Sequence, residues 1–189
     1  MKKVIIVFLF FLFSVCLHAQ NLTWDIRFLK GSSQESTPIS QIIRMETSDT
    51  FSFSITPSAV SFCYIIFYDS QRKVFVYHNE PLAANTERFF GPLELQPPSG
   101  TETIYIIMSI ERQTNLERRI RVYNNDQTAA SSANNLYREV VNLQNRVSRL
   151  GEPASSYISS GGTARSAAQQ YVTRFSGSGL YVRAISIRH

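Results

Sequence analysis

The sequence predicts a mainly β fold: a β-sandwich with short helices, then a C-terminal helical extension and a terminal strand. Three observations carry this. Apolar and polar residues alternate in steps of two at 22–28 and again at 51–55, the mark of strands with one buried face. The runs 60–68 (VSFCYIIFY) and 103–110 (TIYIIMSI) are apolar on both faces, as a central strand covered from both sides must be. The strands are short and separated by turn-forming residues, which favours two packed sheets over alternating strands and helices.

The elements follow in order. Lys2 and Lys3 precede an uncharged apolar stretch at 4–17, and Ala19 supplies the small residue before a cut. Residues 1–19 therefore read as a signal peptide, with Gln20 as the first residue of an exported protein. The apolar run is shorter than the roughly 20 residues a helical span needs, and no later segment qualifies as a span. An uncleaved anchor is one alternative. A lipid anchor on Cys16 is another, although Val15 is bulky where a small residue normally stands before such a cysteine.

Leu22, Trp24, Ile26 and Phe28 form the apolar face of a first strand, and 31–38 is a loop. Phe51, Phe53 and Ile55 line a second strand, ended by Pro57. The run 60–68 turns at 69–72 into a hairpin partner at 74–77. A loop at 79–87 leads to a weak strand at 89–95, broken by Gly91-Pro92, and 97–100 is a hard turn before the strand 103–110.

After Ile110 the period changes. Thr114 and Glu117 have the spacing of a capping box, and Leu116, Ile120 and Tyr123 follow at helical steps. A polar connector at 124–133 precedes Leu136, Val140, Leu143, Val147 and Leu150, which recur in steps of four and three on a helix stopped by Gly151 and Pro153. Residues 154–162 read as a loop, 164–172 as a short helix, 176–179 as a flexible turn and 180–187 as a terminal strand with apolar residues on both faces. The expected organisation is a leader at 1–19, a sandwich domain at 20–123 and a helix-containing extension at 124–189.

The stretch from Asp49 to about Tyr123 resembles a bacterial domain of unknown function found in exported or envelope proteins and beside protein-kinase and caspase-like modules. The resemblance rests on DTFSFSI (49–55), CYIIFYDSQRKVFVY (63–77), the loop between Asn79 and Asn85, the strand at 90–95, GTETIYIIMS (100–109) and NLERRI (115–120). Arg72-Lys73 stand where glycine is usual. The resemblance implies a β-sandwich and an envelope setting, and it implies no activity.

Charge and chemistry narrow the function. Without the leader the chain has 17 Lys+Arg against 14 Asp+Glu, a mild +3, and it lacks the clustered basic face of a nucleic-acid binder. Cys63, the one cysteine after the leader, cannot form an internal disulfide, so the domain is held by its core. Its place in the most apolar strand argues for packing over nucleophilic use. His78, at a strand end near Glu80, lacks zinc-ligand spacing and a nucleophile elbow, and His189 is terminal. Gly161-Gly162-Thr163 lacks the lysine of a phosphate-binding loop.

Two features point to a partner. Arg118, Arg119 and Arg121 form the local basic cluster, suited to an anionic headgroup, a cell-wall polymer or an acidic protein. The stripe Leu136, Val140, Leu143 and Val147 packs either on the sandwich or on a partner. The expectation is a non-enzymatic binding or scaffolding module of the bacterial periplasm or envelope, with an envelope protein or surface polymer as partner and no metal, cofactor, nucleic acid or membrane span after the leader. The alternatives are an outer-membrane lipoprotein tethered through Cys16 and a hydrolase with an unrecognised site.

Overall fold

The computed structural model describes residues 21–31, 36–39, 42–149, 158–159 and 172–189. The leader with Cys16 and Ala19, Leu150, the Gly151–Pro153 stop, Gly161-Gly162-Thr163 and the expected helix at 164–172, apart from Val172, lie outside the described residues.

Among the described residues the chain forms a three-layer β/β/α structure. Sheet 1 runs in the order β10 (Ile158–Ser159), β11 (Val172–Ser178), β1 (Asn21–Lys30), β4 (Thr50–Pro57), β8 (Arg88–Glu94), with β2 (Ser36–Thr37) also paired to β1. Sheet 2 runs β3 (Ile42–Arg44), β12 (Leu180–Arg188), β9 (Thr101–Ser109), β5 (Ser61–Tyr68), β6 (Val74–His78), with β7 (Pro81–Leu82) also on β5. Helices α1 (Thr114–Asn125) and α2 (Ala130–Arg149) cover the outer face of sheet 2.

The alternation read from the sequence decides which residues meet between the sheets. Leu22, Trp24, Ile26 and Phe28 of β1 and Phe51, Phe53 and Ile55 of β4 are buried there. The two strands that are apolar on both faces divide their residues between two cores. Cys63, Ile65, Ile104, Ile106 and Met108 face sheet 1, whereas Tyr64, Ile66, Tyr105 and Ile107 lie under the helices. This explains why β5 and β9 carry no polar face. Each fully buried side chain of this size contributes about 1.5–3 kcal/mol. Phe62, on the same face as Tyr64 and Ile66, is only half-buried at the edge of the helical core.

The C-terminal strands complete both sheets. β11 pairs with β1, and β12 lies between β9 and β3. Trp24 stacks on Phe175 of β11 at 4.7 Å and meets Tyr181 of β12 at 5.4 Å, which ties the crossing to the first strand. The turn expected at 176–179 gives way to β11, which begins at Val172 and reaches Ser178. Hydrogen bonding along β1 overrides the low strand preference of serine and glycine there. Only Gly179 is left for the turn, at φ +83, a conformation glycine adopts without strain.

β8 is not interrupted at Gly91-Pro92 as expected. The β4–β8 register shifts between Phe51 and Phe53, and this bulge takes up the extra length. Gly91 is required there, since a Cβ would lie 2.9 Å from the Phe51 carbonyl oxygen.

Candidate functional site

The helical layer begins at a fastening that the sequence did not reveal. Thr114 is the first residue of α1 rather than its cap, and Gln113 precedes it with no side-chain cap. The expected capping box does not form because Glu117 is engaged elsewhere. Its carboxylate accepts from the Tyr64 hydroxyl at 2.9 Å and from Arg112 at 3.0 and 3.1 Å. Gln113 N–H donates to the same Tyr64 oxygen at 3.1 Å, and its side chain donates to Ser109. Burial, with the Glu117 charge adding to it, pushes the Tyr64 hydroxyl up to about 12. Burial also disfavours the Glu117 charge, but the bonds from Arg112 and Tyr64 outweigh it and hold the carboxyl below its ordinary range.

The connector expected at 124–133 shrinks to four residues, because α1 runs on to Asn125 and α2 starts at Ala130. Asp126 makes this short turn possible. Its carboxylate accepts from the Thr128 hydroxyl at 2.8 Å and from the amides of Thr128 and Ala129. These bonds satisfy donors just before α2, as an N-cap does.

The helix pair therefore has two distinct faces. Leu116, Ile120 and Tyr123 of α1 and Leu136, Val140, Leu143 and Val147 of α2 are buried with Tyr64, Ile66, Tyr105 and Ile107 of sheet 2. Of the two ways to hide the leucine–valine stripe, the structure uses the intramolecular one, and those four residues are not exposed for a partner. Tyr68 stacks on Tyr137 at 4.2 Å at the margin of this contact.

The opposite face carries charge. Arg118 and Arg121 of α1 and Arg138 and Arg146 of α2 are exposed, with Arg119 half-buried beside them. Arg118 donates to Asn115, its neighbour on the helix. Among the described residues none of these arginines forms an ion pair; the pairs found join Arg27 to Glu87, Lys30 to Asp49, Arg112 to Glu117, Arg174 to Asp25 and His189 to Glu102. Residues 114–149 hold six arginines and no lysine against Glu117, Asp126 and Glu139, a net +3, while the rest of 20–189 holds eleven basic and eleven acidic residues. The whole excess charge of residues 20–189 thus lies on the helix pair. Neither the Arg118–Arg121 run nor the later arginines show this alone in the sequence, because the two helices must first be laid on one sheet.

Comparison of the chain with family models, curated proteins and solved structures finds no match.

The other candidates resolve as follows. Cys63 is fully buried, and burial drives its thiol far above the ordinary range, so it is not poised as a nucleophile. His78 meets the Glu80 carbonyl at 3.1 Å and the edge of Phe90 at 5.1 Å, and burial lowers its pKa below the ordinary value. Among the described residues no three His, Cys, Asp or Glu side chains gather as metal ligands.

His189 was the residue the sequence undervalued. Its side chain is buried, with Nδ1 3.3 Å from the Thr47 hydroxyl and Nε2 3.5 Å from a Glu102 oxygen. A hydroxyl, an imidazole and a carboxylate in line suggest acyl transfer. The amides around Thr47 are engaged, however: Glu46 N–H on Asp49, Ser48 N–H on Leu95 and Asp49 N–H on Glu46. They are not available to a developing oxyanion. His189 and Gly100 also exchange both backbone hydrogen bonds, which makes the cluster a fastening for the end of β12.

Proposed function

We propose that the protein is an exported, non-enzymatic binding module of the bacterial envelope, in which the sandwich is the scaffold and the outer face of the helix pair is the contact surface. The observation that carries this is the segregation of charge: a neutral remainder and a helical layer with net +3, presenting Arg118, Arg121, Arg138 and Arg146 to solvent with no direct ion pair among the described residues. Arginine faces of this kind meet anions, since the guanidinium presents a planar fork that matches carboxylate and phosphate oxygens. Placement in the periplasm or envelope follows from the leader read at residues 1–19.

The test is retention by native envelope preparations. The exported chain should sediment with them and be released by raised salt, because contacts between exposed charges are screened. Sedimentation unaffected by salt places the contact elsewhere, and failure to sediment at all removes the binding reading.

A further inference from the structure

The arginine face has a shape as well as a charge, and the shape narrows the partner. The two helices lie side by side on one sheet and present their backs together. The described cavities lie elsewhere. One of about 420 Å³ opens near Arg72, Tyr123 and Thr128, and one of about 300 Å³ opens near His78, Glu80 and Arg88. Neither of these two cavities is lined by Arg118, Arg121, Arg138 or Arg146. On α2 the arginines run from Arg138 to Arg146, about 12 Å at 1.5 Å per residue, with Arg118 and Arg121 on the helix alongside.

Val122 lies within this charged face, beside Arg121, and is 49% exposed. In water an exposed apolar side chain gains nothing, whereas the headgroup region of a bilayer accommodates one between phosphates. The described basic residues of this face, Arg118, Arg119, Arg121, Arg138 and Arg146, are all arginine, which pairs with phosphate through two parallel N–H bonds where lysine acts as a point charge.

We infer that this face docks on the surface of an anionic phospholipid bilayer, with Arg118, Arg121 and Arg138 on headgroup phosphates and Val122 entering the interface. This rests on the binding reading above and names the partner for the same surface. Each arginine near an anionic surface is worth about a fivefold change in affinity, so replacing three by glutamine should weaken binding roughly a hundredfold.

The experiment is flotation of the exported chain with vesicles of phosphatidylcholine alone and with vesicles containing phosphatidylglycerol, in a salt series. Flotation with the anionic vesicles only, lost at high salt and in R118Q/R121Q/R138Q, supports the inference. A V122D variant that keeps its thermal midpoint but floats less places Val122 at the interface. Equal flotation with neutral vesicles overturns the inference. Retention by native envelopes without flotation also overturns it and leaves the binding reading standing, with a soluble anionic polymer or acidic protein as the remaining partner. Loss of both retention and flotation overturns the two together.

Discussion

The two faces of the helix pair come from the same stretch of chain, 114–149, and do opposite things. The inner face is apolar and holds the helices to sheet 2 through Leu136, Val140, Leu143 and Val147. The outer face is basic, its exposed arginines in no direct ion pair among the described residues. Both features stand out in the sequence as candidate contacts, yet only one is left for another molecule once the chain has folded. A stripe of apolar residues is hidden first by whatever apolar surface the same chain offers, and β5 and β9 offer it because they carry no polar face. The charge is not cancelled in the same way: Glu117 bonds to Arg112 and Tyr64 and Asp126 to the turn, and three carboxylates stand against six arginines in 114–149.

The comparison breaks most sharply at one helix. Leu143→Asp places a charge in the inner core and should cost ~5 kcal/mol or more, above the 2–5 kcal/mol of truncating a buried leucine. Arg138→Glu on the other face of α2 should leave the denaturation midpoint within about 0.5 kcal/mol. Urea denaturation of both variants checks the pair, and equal effects would mean the faces are misassigned. Phe53→Ala, in the core between the sheets, should cost ~3–5 kcal/mol by the same measurement.

Tyr64→Phe probes the fastening that sets the helices in place. It removes two hydrogen bonds and should cost about 1–3 kcal/mol. Glu117 has a lowered folded pKa, so its contribution is present above the ordinary carboxylate range and lost as pH falls through the folded value. The wild-type midpoint should therefore fall in acid more steeply than that of Tyr64→Phe. Glu102 behaves oppositely. Burial raises its pKa against the pull of His189, so its charged form is penalised in the fold and the penalty grows as pH rises through that range. Glu102→Gln should be more stable than wild type at neutral pH by less than about 1 kcal/mol, and equal to it in acid; thermal melts at the two pH values read the difference.

Strands with strict alternation were legible in advance, because one buried face imposes period two on β1 and β4 whatever their partners. β5 and β9 were legible as central strands for the related reason that both faces are covered, and β12 as a terminal strand apolar on both faces. β11 was not, since only Val172 and Phe175 among its seven residues are large and apolar, and its existence depends on a distant partner, β1. The capping box at Thr114 failed because local spacing does not register a buried tyrosine fifty residues upstream competing for Glu117. Arg118, Arg119 and Arg121 were visible as a cluster, but their union with Arg138 and Arg146 required the helices to be placed. His189 was set aside because nothing near it in the chain hints at Glu102 or Thr47.

The division between a structural inner face and a binding outer face is tested most directly by moving the same charge change across the molecule. R118E/R121E/R138E and R44E/R72E/R88E alter net charge equally, and all six positions are exposed. Both variants are compared with wild type for retention on native envelopes at low salt, with thermal midpoints measured alongside. The account predicts that the helical variant is released while the sandwich variant is retained nearly as well as wild type, with both midpoints little changed. Equal release of the two would show that net charge alone governs binding and would contradict a dedicated surface on the helix pair.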